Sequence, residues 1–111
     1  MAITAYLDID QGSDFTSVIE LENNDGTPMD LRGFSVYSQF RKSYGSITAY
    51  QFETSIVDAL NGKISLSLPG ITSSNIRPGR YLYDVEITSN SFKTRVIEGI
   101  ITINPEITKI P

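Results

Sequence analysis

Apolar and polar side chains alternate along most of the chain, and a period of two residues is typical of half-buried β-strands. The alternation predicts seven strands, at 3–10, 15–22, 34–42, 50–58, 63–68, 81–88 and 93–104. Turn-forming residues separate these strands, and Asn61-Gly62 before the fifth strand is a strong hairpin signal. A single helical turn is predicted over 71–76. This pattern is typical of an all-β protein, an antiparallel β-sandwich of about seven strands.

The segment 78–87 makes the prediction more specific. Pro78 and Gly79 form a turn, and a strand with alternating side chains follows. Immunoglobulin-like sandwiches carry a Tyr at such a corner, two residues before a core Cys. Tyr81 occupies the corner position here, and Tyr83 stands where antibody domains have the Cys. We therefore expect an immunoglobulin-like sandwich that lacks the usual disulfide.

Chain length and the position of Pro105 predict the domain organisation. A chain of 111 residues matches one domain of ordinary size. Pro105 ends the last predicted strand because its ring nitrogen cannot donate to a β-ladder. We expect one domain at 1–105 and a C-terminal tail at 106–111. That tail either lacks fixed structure or pairs as a strand with a neighbouring copy.

The composition excludes several kinds of chemistry. The chain has no Cys and no His, so disulfides, thiolate metal sites and histidine general bases cannot form. The net charge is −4, and the basic residues cluster no further than the pair Arg41-Lys42, which is not the footprint of a nucleic-acid-binding protein. The N-terminus does not resemble a signal peptide, and no apolar run reaches the roughly 20 residues that span a bilayer. We expect synthesis in a cytoplasm, with neither nucleic acid nor membrane as a partner.

One group of carboxylates has a spacing that suggests calcium. Asp8, Asp10 and Asp14 resemble part of a loop that offers oxygen ligands at alternate positions. The Gly and Glu that complete an EF-hand loop are not at the required positions, and Asp8 and Asp10 lie on the polar face of a predicted strand. We therefore expect no metal, no cofactor and no catalytic residue.

Two residues of the last predicted strand are unusual for their positions. Glu98 lies among apolar residues, and we expect it to form a cross-strand ion pair with Arg80 or Lys93. Gly99 lies inside the strand, where a glycine marks either a bulge or a place where another chain packs closely.

Four apolar side chains are predicted to share the outer face of one sheet. In the immunoglobulin arrangement the third, sixth and seventh predicted strands belong to the same sheet. Strict alternation then places a candidate protein interface on its outer face, formed by Tyr37, Leu82, Val96 and Ile100. A contiguous apolar group of this kind indicates a contact surface, whereas single exposed apolar side chains are ordinary. Both interpretations remain open at the level of the sequence.

A series of short motifs resembles a known family. The motifs are QGSDF at 11–15, DGTPMDLRGF at 25–34, QFRK at 39–42, NGKI at 61–64, PGRYLYDVE at 78–86, TRVIEG at 94–99 and PEIT at 105–108. In this order and spacing they resemble small immunoglobulin-like proteins of tailed bacteriophages, including contractile-tailed phages of marine cyanobacteria. The series is also similar to the N-terminal domain of phage baseplate upper proteins.

The resemblance implies a structural role in the virion without catalysis. It implies a capsid decoration (cement) protein or an accessory protein of the neck, tail or baseplate, which acts by protein–protein contacts. Its partners would be other virion proteins, and a homo-oligomer or symmetric array would multiply a weak contact.

A carbohydrate- or receptor-binding β-sandwich is the alternative. Tyr6, Tyr37, Tyr44 and Tyr50 are candidate aromatic platforms for sugar rings. For Tyr44 and Tyr50, ordinary loop and strand-edge packing is the favoured interpretation. An enzyme is disfavoured because the chain lacks His, Cys and a recognisable acid–base pair.

Overall fold

The computed structural model describes residues 3–108, which form nine strands and one short helix. In chain order these are β1 (Ile3–Thr4), β2 (Leu7–Asp10), β3 (Phe15–Glu20), β4 (Ser35–Arg41), β5 (Tyr50–Gln51), β6 (Glu53–Asp58), β7 (Lys63–Leu68), α1 (Gly70–Ser73), β8 (Gly79–Ser89) and β9 (Phe92–Asn104). Two of the seven predicted strands are therefore each divided in two. No helix within residues 3–108 has the length and apolar character needed to cross a bilayer.

The strands form two sheets, and the predicted all-β sandwich is confirmed. The larger sheet has six strands in the order β1-β9-β8-β4-β5, with β2 also paired to β9, and the smaller sheet has the order β3-β7-β6. The two groups β9-β8-β4 and β3-β7-β6 agree with strands G-F-C and B-E-D of an immunoglobulin sandwich. The named strands pair in antiparallel fashion except that β1 and β2 run parallel to β9.

The division of the predicted strand 50–58 follows from a change of sheet. β5 pairs with β4 in the larger sheet, whereas β6 pairs with β7 in the smaller one. Phe52 lies between them with its side chain buried, and its backbone N–H donates to the carbonyl oxygen of Ser38. The local alternation is the same in both sheets, so the sequence pattern alone does not reveal the switch.

Aromatic rings of the larger sheet meet in the core with the ring of Phe52, which lies where the chain changes sheets. The fully buried ring of Phe40 lies 5.0 Å from that of Phe52, 5.3 Å from that of Tyr50 and 5.6 Å from that of Tyr81. Aliphatic side chains of the inward faces surround this cluster, including those of β7, β8 and β9. The core therefore holds the two sheets together in a domain that has no disulfide.

Both tyrosines of the predicted corner are buried and hydrogen-bonded. The hydroxyl of Tyr81 donates to the carbonyl oxygen of Arg77, four residues upstream, as in the tyrosine corner of immunoglobulin-like domains. The hydroxyl of Tyr83 donates to the carbonyl oxygen of Ala5 over 2.9 Å. Burial raises the pKa of Tyr83 to about 12. Tyr83 thus connects the centre of the larger sheet to its N-terminal edge.

The raised pKa of Tyr83 predicts a loss of stability in alkaline solution. Because the pKa is higher in the folded than in the unfolded state, its contribution is complete below pH 10 and is lost as the pH rises towards 12. The loss is at most about 3 kcal/mol. Tyr83→Phe should flatten this dependence and, at neutral pH, lower the free energy of unfolding by about 1 to 3 kcal/mol. Urea denaturation from pH 8 to pH 12 measures both effects.

Tyr37→Phe is the matched control, because it removes a tyrosine hydroxyl from an exposed position instead of a buried one. Tyr81 contributes to the remaining slope in Tyr83→Phe, since burial, and then the charge of Tyr50, raises its pKa as well. An alkaline slope as steep in Tyr83→Phe as in the unsubstituted protein would contradict the assignment to Tyr83.

A β-bulge at Val96 corrects one prediction. Val85 pairs with Ile97 and Glu86 pairs with Arg95, so Val96 is an extra residue on β9. Val96 is only 7% exposed and belongs to the hydrophobic core. The predicted outward position of Val96 is wrong because strict alternation does not hold across a bulge.

Gly99 lies where another segment packs closely. It pairs with Tyr83, three residues beyond the bulge, and the carbonyl group of Ala5 occupies the space that a Cβ atom at Gly99 would need. Close packing is observed at Gly99, but the expected neighbour, another chain, is wrong, because the packed segment is the N-terminal part of the same chain.

The end of the described chain returns to the first turn. The backbone N–H of Glu106 donates to Oε1 of Gln11 over 3.1 Å, directly after β9. The predicted tail at 106–111 is described only as far as Thr108, and the remainder of that prediction falls outside the described residues.

Candidate functional site

An open groove crosses the outer face of the six-stranded sheet. Its volume is about 500 Å³. The side chains that line this sheet groove come from β1, β9, β8, β4 and two connecting segments: Thr4, Tyr6, Gln39, Arg41, Ser43, Tyr44, Leu82, Asp84, Glu86, Arg95, Glu98 and Ile100. This volume lies in the range of small-molecule sites, and most of the lining side chains are polar.

The four residues of the predicted interface are distributed over three places. Leu82 and Ile100 are partners across β8 and β9, and both line the sheet groove. Tyr37 is 53% exposed and lines an adjoining depression beside Glu86. Val96 lies in the core. The structure thus brings two of the four together, places one next to them and removes the fourth from the surface.

A charged cluster occupies the middle of the sheet groove. Nε of Arg95 lies 3.0 Å from Oδ2 of Asp84, and Nη1 of Arg95 lies 3.1 Å from Oε2 of Glu98. Partial burial disfavours the charged guanidinium, but Asp84 and then Glu98 outweigh it and raise the pKa of Arg95. The guanidinium of Arg95 therefore keeps its charge, and the three side chains hold one another in position.

The bulge makes this cluster possible. On a regular strand, residues three apart such as Arg95 and Glu98 face opposite sides of the sheet. The extra residue Val96 brings both onto the outer face. The predicted cross-strand partner of Glu98, Arg80 or Lys93, is wrong, because Glu98 pairs with Arg95 on its own strand. Lys93 pairs instead with Glu86, at 3.7 Å.

Two exposed tyrosines stand on opposite sides of the sheet groove. Tyr6 lies at the β1–β2 junction and is 72% exposed, and Tyr44 lies in the loop between β4 and β5 and is 82% exposed. The loop of Tyr44 is braced, because Nη1 of Arg41 donates to the carbonyl oxygen of Ser46 over 2.9 Å. Of the other candidate platforms, Tyr37 lies in the adjoining depression, and Tyr50 stacks on Phe40 in the core.

The three aspartates of the possible calcium loop have separate surroundings. Oδ1 of Asp10 accepts from the side-chain amide of Asn104, and Oδ1 of Asp14 accepts from the backbone N–H of Gly70 over 2.7 Å. Asp8 is exposed on β2. Among the residues that the structure describes, no three acidic side chains are grouped so that they could hold a metal ion.

Comparison with solved structures finds the same fold in a phage protein. The N-terminal domain of phage TP901-1 ORF48 matches 90% of this chain with a TM-score of 0.60 and 10% sequence identity, and the match covers 85% of that domain. At this identity the likeness shows a shared fold. No protein-family model matches the chain, and no curated protein sequence does.

Two larger bacterial proteins contain a more distantly similar region. Listeria monocytogenes InlP matches 93% of this chain at 18% identity with a TM-score of 0.48, and a family 123 glycoside hydrolase from Clostridium perfringens matches 94% at 10% identity with a TM-score of 0.43. The chain spans only 28% of the length of InlP and 23% of the length of the hydrolase. Both scores are too low to carry an argument about function.

Proposed function

We propose that the protein is a non-enzymatic structural module of a tailed-phage particle, held there by contacts with other virion proteins. The motif series in the sequence and the fold shared with the N-terminal domain of phage TP901-1 ORF48 both support a place in a phage particle. The specific role is a decoration protein on the capsid or an accessory protein of the neck, tail or baseplate.

The ion pairs in the sheet groove support the proposal that the protein is not an enzyme. Asp84 and Glu98 both bind Arg95, so neither carboxylate is set apart as a general acid or base. Glu86, the third carboxylate, pairs with Lys93. An open groove with mutually neutralised charges suits the binding of a ligand rather than catalysis.

Mass spectrometry of purified phage particles tests this proposal. We expect peptides of the protein in particles banded on a density gradient, in a fixed ratio to the major capsid protein. A copy number in the hundreds indicates capsid decoration, whereas about a dozen copies or fewer indicate the neck, tail or baseplate, because each of these parts has its own symmetry. The absence of the protein from infectious particles would overturn the proposal.

A further inference from the structure

We infer that the sheet groove binds a neutral oligosaccharide. The inference rests on the proposed role of the groove as a binding site and names the class of ligand that it takes. Three features of the groove support it: its two exposed rings, the fixed polar groups between them, and its balance of charge.

The rings of Tyr6 and Tyr44 are available to a ligand. Both side chains are more than two-thirds exposed, although burial of an aromatic ring is favourable. A sugar ring presents a face of C–H groups that packs against an aromatic ring, while its hydroxyls remain free to form hydrogen bonds. Tyrosine suits this contact because its ring is apolar and its hydroxyl is polar.

The separation of the two tyrosines fits a ligand of several sugar units. Tyr6 lies beside β9 at one edge of the sheet, and Tyr44 follows β4, two strands further across. Neighbouring strands are about 4.8 Å apart, so the tyrosines are separated by the full width of the strands that line the groove. A single sugar ring is too short to contact both, whereas a short oligosaccharide lies across the groove.

The groups between the two rings are polar and fixed. Arg95 is held by Asp84 and Glu98, and Gln39 lies opposite Asp84 in the register of β4 and β8. Carboxylate, amide and guanidinium groups are planar and offer paired acceptors or donors, which match neighbouring hydroxyls of a sugar. Because the cluster is already ordered, binding loses little side-chain entropy.

The balance of charge favours a neutral ligand. Asp84, Glu86 and Glu98 are offset by Arg41, Arg95 and Lys93, so this face has no excess positive charge that would attract an acidic glycan. A protein partner fits less well, because the centre of a protein interface is depleted in charged residues. Leu82 and Ile100 provide only a small apolar floor beside the charged cluster.

Titration of the ¹⁵N-labelled chain, followed by NMR, tests the inference. The probes are maltotriose, cellotriose, N-acetylated chitotriose and lactose as neutral sugars, with 3′-sialyllactose as the acidic comparison. We expect at least one neutral probe to shift the amide signals of groove residues such as Leu82 and Ile100. Tyr6→Ala and Tyr44→Ala should each weaken that binding about tenfold, as truncation of an aromatic anchor does.

Two variants serve as controls. Tyr37→Ala removes an equally large exposed ring outside the sheet groove and should leave the affinity unchanged. Tyr44→Phe keeps the ring and should retain most of the binding. Because Tyr6 and Tyr44 are exposed, their alanine variants should keep the fold, which the NMR spectrum of the free protein verifies.

Three results would overturn the inference: no binding of any neutral probe at millimolar concentration, equal or tighter binding of sialyllactose, or binding that survives both alanine substitutions. The test is independent of particle membership. A protein present in particles that binds no sugar would leave the proposed function intact and refute the inference. If the protein binds a neutral sugar but is absent from particles, the inference stands and the proposed function is refuted.

Discussion

Gly99→Ala is expected to destabilise the protein by about 3 to 5 kcal/mol. Two effects contribute: the added methyl group overlaps with neighbouring backbone atoms, and buried hydrogen bonds are lost. A Cβ atom at Gly99 would lie closer than 3.0 Å to both the carbonyl carbon and the carbonyl oxygen of Ala5. These are backbone atoms, so the N-terminal segment has to move away. That movement breaks the bond from the N–H of Ala5 to Glu98, 2.9 Å long, and the bond from Tyr83 to Ala5.

Denaturation by urea measures the effect, with Gly45→Ala as the control. Gly45 lies in the loop between β4 and β5, and a Cβ atom there would meet nothing within 4 Å. Its substitution should change the free energy of unfolding by no more than about 0.5 kcal/mol. Hydrogen exchange of β1 and β2 amides adds a local readout, since these strands lose their anchor first. A Gly99→Ala variant as stable as Gly45→Ala would show that Ala5 does not pack against Gly99.

Phe40→Ala is expected to cost about 3 to 5 kcal/mol, the usual range for deletion of a buried phenylalanine ring. Phe40 is fully buried, and its ring contacts those of Tyr50, Phe52 and Tyr81. Because Phe52 lies where the chain passes from one sheet to the other, the cavity opens at the junction of the two sheets. The neighbouring rings are large and fixed, so they cannot collapse easily into the space.

Phe92→Ala is the matched control, because Phe92 is 53% exposed and, among the aromatic pairs of residues 3–108, forms only a T-shaped contact with Phe34. The thermal midpoint should fall far less in Phe92→Ala than in Phe40→Ala. For a domain of about 100 residues, each kcal/mol lowers the midpoint by roughly 4 to 8 °C. Equal losses in the two variants would contradict the central role of the Phe40 cluster.

Much of the fold could be predicted because its signals are local. The inward faces of β7 and β8 follow the alternation of the sequence residue by residue, and both carry buried side chains at every second position. The corner at Tyr81 was predictable as well, since a Pro-Gly turn and the following tyrosines are adjacent in the chain. Tyr6 and Tyr44 were among four candidate tyrosines, but the sequence favoured ordinary loop packing for Tyr44, and only the structure shows that its side chain is exposed.

The sequence by itself determined the fold class, most strand positions and the tyrosine corner of this protein, because side-chain alternation and turn residues act over a few positions. Only the tertiary structure decided the bulge at Val96, the contact of Gly99 with Ala5 and the composition of the sheet groove. Each of these depends on which strands become neighbours and in which register. A single extra residue on β9 moves Val96 into the core and brings Arg95 and Glu98 onto one face. The sequence of β9 alone does not show that its side chains change faces at Val96, because a bulge is defined only relative to the partner strand.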